Sequence, residues 1–239
     1  MANIIKIDNA VLKRRRRTEQ KRKTEFKSKR MFYLIVCEGE KTEPNYFESL
    51  KKSLPKGVLE LTNIDIDGTG KNTLSIIDEA KKLRDKYYSQ YLRTIDKVWA
   101  VFDKDSFPDE NFNNAINKGE NSKLKINCAW TNEAFELWYL LHFNYYNTGI
   151  SRRQYQNLIE KEINSASNRR DYRYLKNSKD MFALLNKYGD QKKAITNAER
   201  LEKQYLDRNF ARHNPSTRVH NLVCELIKLT EDYVREQSI

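Results

Sequence analysis

The acidic side chains of this sequence fall at spacings that suit phosphodiester chemistry on a hard cation. Glu38, Glu40 and Glu43 lie in one short run, Asp103 and Asp105 are one residue apart, and Glu133 and Glu136 follow an apolar segment. Alternate residues of an extended chain share a face, so Asp103 and Asp105 can address one ion while Lys104 points away. Carboxylate oxygens suit Mg²⁺ or Mn²⁺, whose shell is completed by water and substrate phosphate. Such an ion polarises a phosphodiester and activates water, and a nearby carboxylate, here Glu38, serves as general acid or base. The competing reading is structural, because acids at strand ends also cap helices and pair with neighbours such as Lys41 and Lys104. Glu136 stands apart, since it sits among Phe135, Leu137, Trp138, Leu140, Leu141 and Phe143. A carboxylate in so apolar a helix is costly unless paired or metal-bound, which makes it a buried partner of an Arg or Lys or a member of the site.

Other reactive groups carry less. His142 lies six residues after Glu136, off its helical face, and reads as a satisfied structural histidine. Cys37 falls inside an apolar strand run, where a thiol is buried and inert. Cys37, Cys128 and Cys224 form no CxxC pair, and His142, His213 and His220 are not spaced with them as zinc ligands. Gly68-Thr69-Gly70-Lys71 lacks the spacing of a phosphate-binding P-loop. Asp103-x-Asp105 also suggests phosphotransfer of the haloacid dehalogenase type, but that chemistry wants its nucleophile after the first strand of the fold, and this pair follows the third.

The elements that must position these acids follow from apolar periodicity. Phe32 to Cys37 reads as a buried parallel strand ending at Glu38, and Thr42 as the N-cap of a helix through about Leu54. Leu59 to Ile66 alternates as a second strand, and Asn72 caps a helix with a stripe of Leu74, Ile77, Ala80, Leu83 and Tyr87. A third strand runs from Lys97 to Phe102, a short helix opens at Pro108-Asp109-Glu110, and a fourth strand, Ile126 to Trp130, leads into an apolar helix ending near His142. Four strand-helix units predict an α/β fold, a Rossmann-like parallel four-stranded sheet flanked by helices. In such sheets functional groups gather at the carboxyl ends of the strands, where these acids fall. Beyond Gly149 the pattern is helical, near Arg152 to Ile163, Ser178 to Tyr188, Gln191 to Asp207 and Thr217 to Glu236, with Asn164 to Arg173 as a candidate mobile loop. Three regions are therefore expected: a basic leader over 1–30, an α/β core over 31–148, and a helical extension over 149–239 packing on that core.

The runs Ile35-Val36-Cys37-Glu38-Gly39-Glu40-Lys41-Thr42-Glu43 and Val98-Trp99-Ala100-Val101-Phe102-Asp103-Lys104-Asp105 resemble the Toprim signature of primases, topoisomerases and OLD-type nucleases. The resemblance is closer to the RloB-like family, through Val36 to Phe47, Asn132 to Trp138 with Leu141-His142-Phe143, and Asn214-Pro215-Ser216-Thr217. It implies a Toprim-like fold and a metal-dependent nuclease, with Glu38 as the catalytic acid and Asp103 and Asp105 as the metal pair; Glu136 joins them as a site acid on the burial argument alone. It leaves the roles of Glu40 and Glu43 open. Pro is common in that family where this chain carries Glu133, so Glu133 is either an extra ligand or a helix cap. Family members sit beside ATPases in phage-defence or restriction-associated loci, which implies an ABC- or OLD-type ATPase partner.

Charge is unevenly distributed. From Lys13 to Arg30 eleven Lys or Arg face only Glu19 and Glu25, so most of the net +12 lies there. Such a run attracts polyanions through counterion release, and nucleic acid, DNA or RNA, is the expected partner. Arg14, Arg15, Arg16 and Arg17 are its densest part, and Lys41, Lys104, Lys176 and Arg169-Arg170 are further phosphate contacts or solvated surface. No stretch approaches the roughly 20 apolar residues of a membrane helix, and a cytoplasmic protein is expected. The alternative to a nuclease is a non-catalytic nucleic-acid or partner-binding module on the same fold.

Overall fold

The computed structural model describes residues 31–237, apart from 70–72, 93, 106, 124 and 169. The leader with Arg14 to Arg17, the Asn72 cap and Arg169 lie outside the described residues. In β1 (Met31–Cys37), Tyr33, Ile35 and Cys37 enter one core while Leu34 and Val36 enter another. The run is apolar throughout because a parallel strand is covered on both faces. There follow α1 (Thr42–Ser53), α2 (Lys56–Leu61), β2 (Thr62–Gly68), α3 (Thr73–Tyr91), β3 (Lys97–Asp103), α4 (Asp109–Glu120) and β4 (Ile126–Asn132). The remainder is α5 (Glu136–Leu141), α6 (Arg152–Ser167), α7 (Met181–Tyr188), α8 (Gln191–Glu202), a 3₁₀ turn at Phe210–Arg212, β5 (Ser216–Thr217) and α9 (Val219–Gln237).

The strand order is β2-β1-β3-β4-β5. The first four strands are parallel, as expected, but β5 is a fifth, antiparallel member that pairs Thr217 with Thr131 and Ser216 with Asn132. Two residues are too few to show an alternating pattern, so the four-stranded expectation missed it. On one face, α3 and α4 bury Ile76, Ile77, Ala80, Phe112, Ala115 and Ile116 against Val98, Ala100 and Phe102. On the other, Tyr46, Phe47 and Leu50 of α1 share a core with Trp99, Val101 and Ala129, with α5, and with Tyr155, Ile159, Leu185, Ala198 and Leu226 of the later helices. The helices beyond residue 149 thus complete the core of the sheet, and the described residues make one compact unit. Among the described residues no helix is long and apolar enough to cross a membrane.

Several local expectations are corrected. The second strand begins at Thr62, because Pro55 starts a helical turn in which Val58 N–H donates to the Pro55 carbonyl at 3.0 Å. That turn packs on α9 so tightly that a Cβ at Gly57 would strike Tyr233. Lys41, not Thr42, is the N-cap of α1. The segment after Asn164 is tied down, since α6 runs on to Ser167 and the Asn164 amide both donates to the Tyr172 carbonyl and accepts from its N–H, each at 3.0 Å.

Candidate functional site

β1 lies between β2 and β3, so the chain leaves β1 toward one edge of the sheet and returns past it to build toward the other. A crevice opens at the carboxyl ends of strands at such a reversal. Here it is a cleft of about 420 Å³, lined among others by Glu38, Glu40, Lys41, Glu43, Asp103, Asp105, Glu136, Arg152, Lys176 and Asn177.

Each acid arrives by a separate route. Glu38 follows the last residue of β1, its N–H donating to the Val101 carbonyl at 2.8 Å, and its carboxylate accepts from Asp103 N–H at 3.2 Å. Asp103 ends β3 and accepts from Phe135 N–H at 3.0 Å. Asp105 lies past the strand with φ +41°, a left-handed conformation that Asp tolerates. Asp103 and Asp105 therefore converge because the chain turns, not because an extended strand continues. Glu136 opens α5 with only 2% of its surface exposed, and it accepts from Gln156 Nε2 at 2.9 Å and Tyr174 Oη at 3.3 Å. Glu43, in the first turn of α1, folds its carboxylate back over Gly39, where any side chain would collide with it.

Arg152 stands among these acids, a residue the sequence reading used only to mark a helix start. Its guanidinium nitrogens lie 3.2 Å from Asp103 Oδ2, 3.3 Å from Asp105 Oδ2 and 3.6 Å from Glu136 Oε2. Ser151 caps α6, its N–H bonded to Gln154 Oε1 at 2.9 Å. The helix then turns Tyr155, Ile159 and Ile163 to the core, while Arg152, Gln156 and Glu160, also four residues apart, face the cleft and the chain that borders it. That bordering segment brings Tyr174 to Glu136 and Asn177 to α1, where Thr42 Oγ1 donates to Asn177 Oδ1 at 3.2 Å and Asn45 Nδ2 to the Asn177 carbonyl at 3.0 Å.

Of the other expected site residues, Lys41 and Lys176 are exposed on the cleft wall and Glu40 lines it. Lys104 does not, because its ammonium turns to the Phe107 carbonyl and pairs with Asp109 at 3.1 Å. Glu133 is neither cleft lining nor helix cap; its carbonyl receives Asp105 N–H at 3.0 Å, and α5 is capped by Phe135. His142 is buried behind the site, with Nδ1 2.9 Å from the Trp138 carbonyl, and burial pulls its pKa down to about 4. Cys37 is fully buried, which pushes its thiol up.

The electrostatics are those of a site short of positive charge. Six carboxylates, Glu38, Glu40, Glu43, Asp103, Asp105 and Glu136, line the cleft against Lys41, Arg152 and Lys176. Burial, then the charge of Glu43, pushes the Asp103 carboxyl well above the usual carboxylate range, while Arg152 pulls it back. Burial, then Glu136, raises Glu43, and Glu43 Oε2 is buried without a hydrogen-bond partner. Burial alone would lower the Arg152 pKa, but Asp103, Glu136, Asp105 and Glu43 carry it upward. All-oxygen donors in excess of local cations, one buried and unsatisfied, fit a hard divalent ion. Among the described residues no three His, Cys, Asp or Glu side chains already stand grouped as metal ligands, and Arg152 is inserted where Asp103, Asp105 and Glu136 approach.

Fold and cleft together define an α/β protein with a carboxylate site at the switch point of a mostly parallel sheet. Residues 33–226 match the model of the RloB-like proteins, and the chain belongs to that family. No curated protein and no solved structure gives a match.

Proposed function

We propose that this RloB-like protein is a divalent-metal-dependent nuclease of the Toprim type, cleaving phosphodiester bonds in DNA or RNA. The observation that carries the reading is the convergence of Glu38, Asp103, Asp105 and Glu136, from three separate segments, in one cleft. Glu38, Asp103 and Asp105 would hold Mg²⁺ or Mn²⁺, which when bound supplies polarisation of the phosphodiester and an activated water. Glu38, which follows β1, would give or take the proton of the scissile oxygen. Lys41 and Lys176, exposed on the wall, receive backbone phosphates as mobile point charges. The basic leader adds sequence-independent attraction for the polyanion. Role and setting follow the family: an effector in phage defence acting with an ATPase encoded nearby.

A second reading has one observation in its favour. Arg152 already neutralises part of the acid cluster, as an ion-pair network holding α6 on the sheet would, and the fold would then serve as a non-catalytic binding module. The two separate in one assay, incubation of plasmid DNA and total tRNA with purified protein, Mg²⁺ or Mn²⁺, and the neighbouring ATPase where the locus has one. The nuclease reading expects metal-dependent cutting that Glu38→Ala and Asp103→Ala both abolish with circular dichroism unchanged. Equal binding without cutting by all three proteins would select the binding module.

A further inference from the structure

We infer that Arg152 is an internal competitor for the cation, a positioning residue that occupies the carboxylates of the site until a divalent ion displaces it. This rests on the metal-dependent reading above. The guanidinium lies 3.2, 3.3 and 3.6 Å from oxygens of three different acids, Asp103, Asp105 and Glu136, of which the first two are in the expected ligand set and the third lines the same cleft. A planar fork of five donors suits this kind of multi-carboxylate contact, where an ammonium would make one point contact. A divalent ion drawn to the same oxygens meets a fixed positive charge at close range, in a cleft where screening by water is reduced. Ion and guanidinium therefore exclude one another from full contact with Asp103 and Asp105.

Two features show that the arrangement is a resting one, still short of charge. Glu43 Oε2, lining the same cleft on a residue only 7% exposed, has no hydrogen-bond partner even with Arg152 in place. Arg152 Nε, also buried, makes no hydrogen bond and reaches Glu136 only as an ion pair at 3.6 Å, so the fork is incompletely satisfied by the acids it spans. Its position works against it as well, because a cation in the first turn of a helix opposes the helix dipole, a cost that the acids it faces offset. The side chain is 29% exposed, which leaves it a way out along the cleft wall.

Displacement links ion binding to the freeing of an arginine at the point where a phosphate would lie. The ion affinity of the wild-type protein is then set below what its carboxylates alone would give, and Arg152 controls the difference.

The test is Mn²⁺ binding to the full-length protein, read by electron paramagnetic resonance of free Mn²⁺ and by the shift of the melting temperature with added Mn²⁺. Arg152→Gln is expected to bind Mn²⁺ at least tenfold more tightly than wild type. It should melt lower without the ion and show the larger Mn²⁺-induced rise. Arg152→Lys, which keeps the charge and loses the fork, is expected between the two and serves if the glutamine variant does not fold. Equal or weaker Mn²⁺ binding by both variants, with wild type binding normally, would overturn the competition. Absence of binding in wild type and in both variants would instead remove the metal-dependent reading, and this inference with it.

Discussion

Two clusters of charge lie at the sheet, and they are built on opposite plans. Beside β5, Arg218 Nε donates to Glu202 at 2.7 Å and its Nη1 lies 3.8 Å from Glu120, while His220 Nε2 lies 3.4 Å from Glu202. Arg208 completes the pairing of Glu120, and the Arg218 guanidinium lies 4.8 Å from the centre of the Phe210 ring. Every acid there has its base, and hydrogen bonding from His220 holds the Glu202 carboxyl below its ordinary range. In the cleft the acids outnumber the bases and Asp103 and Glu43 are pushed upward. A balanced cluster fastens α4, α8 and α9 together; an unbalanced one is the electrostatic pattern expected where a cation is to be bound, as proposed above.

Substitutions should therefore sort by cluster. The largest expected effect is on cleavage: Glu38→Ala or Asp103→Ala should lower the metal-dependent rate at least ~10³-fold in single-turnover assays while circular dichroism stays native. Next is His142, the C-cap of the cleft's own helix, buried with Nδ1 against the Trp138 carbonyl. Its folded pKa of about 4 lies below the ordinary 6.5, so the unfolded chain takes up the proton first, and the stability it contributes is complete above 6.5 and lost as pH falls toward 4. About 3 kcal/mol should disappear across that window, and urea titrations of wild type and His142→Phe at pH 7 and pH 4.5 should differ in this slope. Arg218→Ala comes third. It should cost about 2 kcal/mol in the same titrations and leave Mn²⁺ binding unchanged, and a change in ion affinity would break the separation of the two clusters. The smallest effect belongs to the rim, where Lys41→Ala with Lys176→Ala should reduce the salt dependence of nucleic-acid binding by about 2 in logarithmic slope, measured by fluorescence anisotropy.

How much of this is legible in the sequence depends on the range of the interaction that decides it. The strands are readable because each apolar residue of β1 and β3 goes to one of two buried faces, leaving no polar position to obscure the run. Glu38 and Asp103 are readable as the first acids after those runs, and Glu136 as a carboxylate with no local reason to be buried. Lys104 reads as a phosphate contact or solvated surface from its charge beside the acids, but local partners decide it, since Phe107 and Asp109 claim its ammonium. Arg152 was missed because its partner Asp103 is 49 residues away and a helix start reads as solvated. One signal was present: an arginine in the first turn runs against the helix dipole, which asks for an acid from elsewhere in the chain.

The glycine between Glu38 and Glu40 has a genetic consequence. With the Glu43 carboxylate seated where a Cβ at Gly39 would go, even alanine there must evict an oxygen from a buried position. Position 39 can therefore take a side chain only when residue 43 gives way. In a library that randomises both, survivors that lose the glycine should be those that also shorten residue 43, an epistasis invisible to either position scanned alone.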